Sequence, residues 1–187
     1  MRIRLLVIAA LALVPGLPPR AARAQLAAAL LSDPSGRARV AVSFRRPGSR
    51  DALNVAIDYG QPHARGRQVA GGVVPYDRVW RTGANAATSL VTDVDLTIGG
   101  TRVPRGSYTL YSLPTRAGWK LIVNRQTGQW GTEYDPARDL ARIDLRTRTL
   151  REPLESFTIW LVPSGNGRGV LRLAWGTTEL STDWAVR

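Results

Sequence analysis

The sequence predicts an all-β fold: a single-domain antiparallel β-sandwich with little helix, for which a jelly roll or an open barrel is the nearest alternative. Three observations predict it. Apolar side chains recur at every second position through much of the chain, turns rich in glycine and proline separate these runs at short intervals, and hardly any segment carries the 3.6-residue period of a helix.

Taken in order, Val40, Val42 and Phe44 form the first alternating run, and Leu53, Val55, Ile57 and Tyr59 the second. Val94, Leu96 and Ile98 lead to Gly99-Gly100, a dipeptide suited to a tight hairpin, after which a run begins around Val103. Pro104-Arg105-Gly106 turns the chain into Tyr108 to Leu113. Trp119, Leu121 and Val123 share one face of the next strand; Phe157, Ile159 and Leu161 follow, then Leu171, Leu173 and Trp175, across the turn Ser164-Gly165-Asn166-Gly167. Thr178 to Ala185 closes the series, so that about nine or ten strands are expected. Helix is confined to a turn or two from Asp135-Pro136, with Asp as cap and Pro in the first turn, and to a brief stretch at Gln25 to Leu31.

The chain opens with the layout of a secretory leader. Arg2 and Arg4 precede the apolar run Leu5 to Val14, then come Pro15-Gly16 and the small-x-small site Ala22-Arg23-Ala24. A bilayer span takes about 20 apolar residues, so cleavage near Ala24 is favoured over a transmembrane anchor. The expected organisation is a signal peptide over 1–24, a flexible N-terminal segment over 25–36 and the β-sandwich over 37–187, in a periplasmic or secreted protein. The formal charge of +12 becomes +8 once Arg2, Arg4, Arg20 and Arg23 are lost. Basic residues stand singly among acidic ones, which argues against nucleic acid as a partner and leaves a small molecule or an anionic envelope polymer. Cysteine is absent and His63 is the single histidine, so thiolate chemistry and multi-histidine metal sites are excluded; neither a metal nor a cofactor is expected.

Between Tyr59 and Thr88 the alternation fails, although Val73, Val74, Tyr76, Val79 and Trp80 argue for an ordered excursion across the mouth of the sheet. The stretch GGVVPYDRVWRTGANAAT, followed by DVDLTIGG, VPRGSYTLYSLP and QWGTEYD, resembles the uncharacterised bacterial family catalogued as domain of unknown function 2911. The resemblance covers roughly Leu53 to Leu180, and Trp80-Arg81-Thr82-Gly83-Ala84-Asn85 is its most specific motif. It implies an exported, β-rich protein and supplies no mechanism. The family pattern carries glutamate after the Asn of this motif where this chain has Ala86, so any chemistry resting on that carboxylate is lost here.

Within the motif, Arg81 and Asn85 flank Gly83, a combination able to cradle a carboxylate, phosphate or sulfate, with Trp80 or Tyr76 as a stacking face. The structural alternative makes Trp80 a core anchor, pairs Arg81 with Asp58 or Asp77 and uses Asn85 to cap the turn. Tyr59 and His63 lie in the same region, and Trp130, after Gln129 and before Gly131, is placed at a loop rim where it can stack on a sugar. The expected function is therefore a non-catalytic ligand-binding or structural envelope domain, with a groove formed from Tyr59, His63, Tyr76, Trp80, Arg81, Gly83, Asn85 and Trp130 for an anionic or sugar-containing ligand. The alternative is a hydrolase using His63 with Asp58, or the carboxylates Glu133 and Asp135.

Overall fold

A computed structural model describes residues 35–187; the expected leader and residues 25–34 of the N-terminal segment lie outside the described residues. The fold is all-β, with nine strands in one antiparallel sheet: β1 (Arg37–Arg45), β2 (Ala52–Gly60), β3 (Thr88–Thr92), β4 (Leu96–Ile98), β5 (Thr101–Val103), β6 (Gly106–Pro114), β7 (Trp119–Asn124), β8 (Asp139–Gly165) and β9 (Arg168–Val186). Their order is β1-β2-β3-β6-β7-β8-β9-β4-β5, and the sheet does not close. A 3-10 turn at Pro136–Arg138, with the Asp135 side chain accepting from the Ala137 N–H, realises the Asp-Pro signal. Among the described residues no helix is long and apolar enough to cross a membrane.

The two long strands fold the sheet over on itself. The first part of β8 pairs with β7 and the rest with β9, through register shifts between Thr149 and Leu154 and between Leu154 and Thr158, around Pro153. Opposite this irregularity Gly176 sits at φ +56° in β9, and a side chain there would meet Val69 Cγ2 at 3.0 Å. The inner residues of both halves form one core, including Ile57, Leu90, Leu110, Leu121, Phe157 and Leu173. Phe44 of β1 meets Trp184 of β9 edge to face at 5.9 Å, and the Tyr59 hydroxyl of β2 accepts from the Ile159 N–H of β8 at 3.1 Å. These contacts span the interior between the two halves.

The alternation located the strands' inward faces, with two differences. β3 and the first half of β8 were not anticipated, because Thr88 and Thr92 occupy buried positions in β3 and residues 146–149 of β8 are exposed on both faces. The runs at 171–175 and 178–185 are one strand bent at Gly176 rather than two.

The excursion after β2 is strapped to the sheet at several points. Trp80 exchanges two 2.8 Å backbone hydrogen bonds with Ser112 of β6, the Phe157 N–H donates to the Pro62 carbonyl at 2.9 Å, and the Ala84 N–H donates to the Gly60 carbonyl at 3.1 Å. Gly60 permits the last contact, because a Cβ there would lie 2.0 Å from the Ala84 carbonyl oxygen. Together with the chain between Arg125 and Asp135, the excursion covers the outer face of β6. This explains why that strand is buried on both sides from Tyr108 to Ser112.

Candidate functional site

Within the excursion, the motif from Trp80 to Asn85 alternates its side chains between the interior and a cleft. Trp80 lies close to Phe157 (5.1 Å, edge to face) and nearly parallel to Trp175 (5.9 Å between ring centres, 19° between planes). Thr82 is fully buried at φ +50°, a conformation a β-branched residue rarely adopts. Its hydroxyl is 2.7 Å from that of Ser112, and its carbonyl accepts from the Thr88 hydroxyl at 2.8 Å, so the surroundings hold the strained backbone in place. Gly83 tolerates no side chain, since a Cβ would sit 2.8 Å from Thr88 Oγ1 and 2.9 Å from the Gly60 carbonyl. Asn85, at φ +59°, directs its amide to the Ser35 carbonyl at 3.3 Å, and its own carbonyl accepts from the Gly131 N–H at 3.0 Å.

The fixed backbone leaves Arg81 half-buried on the wall of a cleft of about 410 Å³. Trp80, Trp175 and the aliphatic Val73 and Val79 line it together with Tyr111, Gly131, Thr132 and Tyr134, and Arg67, Arg81 and Asn85 supply polarity. Gly131 lets the Arg81 side chain pack directly against the backbone there, because a Cβ at 131 would stand 2.7 Å from Arg81 Cδ. The nearest acceptor for Arg81 is the Gly83 carbonyl, 3.4 Å from Nε, and among the described residues it has no carboxylate partner. Arg67 commits Nε to the Ala64 carbonyl (2.9 Å) and Nη2 to that of His63 (2.8 Å). No aspartate, glutamate or histidine is among the lining residues, so no carboxylate faces the two guanidiniums within this cleft.

The remaining candidates separate. Trp80, Arg81, Gly83 and Asn85 line the cleft. Tyr59 is a core residue behind it, against Phe157. His63 stands outside the lining, with Nδ1 2.8 Å from the Ser156 hydroxyl. Tyr76, with the Arg116 guanidinium 5.1 Å from its ring centre, lines a neighbouring depression of about 510 Å³ that Arg67 and Glu155 also line. Trp130 is 49% exposed and bridges Ala86, which is also exposed; both are outside the lining. Neither carboxylate proposed for Arg81 pairs with it: Asp58 holds Arg37, and Asp77 forms no ion pair among the described residues.

Asp58, paired with Arg37, does not orient the His63 ring, whose Nδ1 faces the Ser156 hydroxyl instead. Asp135 caps the 3-10 turn and lies 3.4 Å from Arg138, and Glu133 is exposed outside the cleft lining. Tyr134 gives its proton to Asp139 (2.7 Å); burial first, and then this bond, push its hydroxyl up to about 12, so at neutral pH it is a phenol rather than a base. Burial likewise raises Tyr111.

Sequence reasoning missed Arg67, Tyr111, Thr132, Tyr134 and Trp175 as lining residues. Tyr111 carried one readable signal, because Tyr108 to Leu113 is apolar on both alternating faces and so belongs to a strand covered on both sides.

The sequence model of a family described as "Protein of unknown function (DUF2911)" matches residues 47–183, which include every strand from β2 to β8, most of β9 and the whole cleft motif. No curated protein and no solved structure matches the chain.

Proposed function

The chain belongs to the DUF2911 family, and we propose that it is an exported, non-catalytic binding domain whose cleft takes an anionic small molecule. The observation that carries this reading is Arg81: half-buried, held by a strained and glycine-dependent turn, and without a carboxylate of its own among the described residues. A guanidinium desolvated without a counter-charge is unfavourable for the protein alone, and an incoming carboxylate or phosphate relieves that through charge-assisted hydrogen bonds. Arg67 adds a second positive charge, and the aromatic side chains beside the two guanidiniums lower the local polarity, which strengthens the attraction. The leader-like first segment is what supports export.

The hydrolase alternative draws less support, because neither of its acid-base pairs reaches the cleft or assembles elsewhere. A thermal-shift screen of the full chain against organic carboxylates, phosphate and sulfate tests the reading. At a ligand concentration near 100 times Kd, stabilisation of about 2.7 kcal/mol is expected. The shift should disappear in Arg81→Ala; no shift with any anion, or one undiminished in the variant, rejects the proposal.

A further inference from the structure

We infer that the anion taken by this cleft carries a flat apolar body, and that an aromatic carboxylate fits it better than a sugar acid. This rests on the binding reading above and concerns what surrounds the charge. Both tyrosines of the cleft turn their hydroxyls into the protein. Tyr111 donates to the Glu133 carbonyl at 2.8 Å and accepts from Gln129 Nε2 at 3.0 Å. Tyr134 donates to Asp139 at 2.7 Å and accepts from Arg142 Nη2 at 3.0 Å. A phenol has one proton to give, so neither retains a donor for a ligand.

What Tyr134 offers the cleft is ring surface, with the buried Tyr111 packed behind it. Tyr111 backs Tyr134 edge to face at 4.8 Å, and the part-exposed Trp80 lies nearly parallel to the buried Trp175, so Tyr134 and Trp80 are the rings a ligand meets. Val73 and Val79 extend the apolar lining, and Thr132 is an exposed hydroxyl at the rim. A sugar acid brings several hydroxyls to a cleft whose polar side chains are concentrated at Arg67, Arg81, Asn85 and Thr132, and each hydroxyl that meets a ring or a valine instead is left without a partner and weakens binding. An aromatic carboxylate has only its carboxylate to satisfy, and Arg81 and Arg67 carry the matching charge. Its ring meets the aromatic walls in the edge-to-face or offset arrangements such rings prefer. The volume of about 410 Å³ accommodates one such ring system.

Isothermal titration of the full chain with indole-3-acetate, hexanoate and glucuronate, at one pH and ionic strength, separates the possibilities. Indole-3-acetate is expected to bind about tenfold or more tightly than the other two, and Arg81→Ala to weaken it by about tenfold. Trp130→Ala, which removes an exposed ring outside the cleft lining, should leave its affinity within about twofold. Glucuronate or hexanoate binding as tightly as indole-3-acetate, or a large loss in Trp130→Ala, which would put the stacking at the rim, overturns the flat apolar body in the cleft while anion binding stands. Failure of all three anions to bind overturns both.

Discussion

Two regions of this molecule set arginines beside aromatic rings and treat the charge in opposite ways. Where β8 meets β9 on the outer face, Arg146 pairs with Asp183 at 2.8 Å, and Arg148 and Arg172 converge on the buried carboxylate of Glu179. Arg172 also lies 5.4 Å from the centre of the Trp160 ring. In the cleft, Arg67 and Arg81 meet carbonyl oxygens beside Trp80 and Tyr134, and no carboxylate lines the space. The ladder explains the first pattern, since Arg148 stands directly opposite Glu179 in register. The second has no equivalent, because the excursion carries its arginines off the ladder. Neutralised charge belongs to the fold, and unneutralised charge at a cleft is available to a ligand.

The contrast depends on the excursion being clamped at its base, and the largest effect is expected there. Gly60→Ala drives a methyl group into the backbone of Ala84, which cannot swing aside, and should cost about 2–3 kcal/mol in denaturant unfolding. A loss below about 0.5 kcal/mol would show that the excursion yields easily.

Removing Glu179 tests the neutralised region. Glu179→Ala should cost about 1–2 kcal/mol at neutral pH, less than for a wholly buried pair because both arginines are partly exposed. Burial alone would raise the Glu179 carboxyl, but the hydrogen bonds from Arg172 and Arg148 outweigh it and hold the group below its ordinary value of 4.5. A depressed carboxylate stabilises the fold above its unfolded pKa and loses that contribution as pH falls through the folded one. The difference between wild type and Glu179→Gln should therefore be full near pH 7 and shrink below about pH 4.

The smallest effects complete the comparison. Asp183→Asn breaks a surface pair and should change stability by at most about 1 kcal/mol. Arg81→Ala should change it by about 0.5 kcal/mol or less, since no carboxylate loses its partner. If chemical denaturation shows Arg81→Ala to be as damaging as Glu179→Ala, Arg81 serves the fold and the contrast breaks.

How much of this was legible in the sequence follows from the same physics. Period-two alternation marks side chains that enter one core, so Val55, Ile57, Leu121 and Phe157 were readable. It fails where a strand is polar on both faces, as at Arg146 to Thr149, or where threonine occupies buried positions, as at Thr88 and Thr92. The motif from Trp80 to Asn85 was visible because it breaks the alternation. Its partners were not, because Tyr111, Tyr134 and Trp175 reach the cleft from β6, the loop before β8 and β9. Only the folding of the sheet brings those distant segments together.

The most direct test of the central claim is arginine-selective modification of the folded chain by phenylglyoxal, mapped residue by residue by mass spectrometry with and without saturating indole-3-acetate. Arg81 should react in the free protein and be protected by the carboxylate, while Arg146 and Arg172 keep the same reactivity in both samples. Arg81 labelling that the carboxylate leaves unchanged would contradict the account.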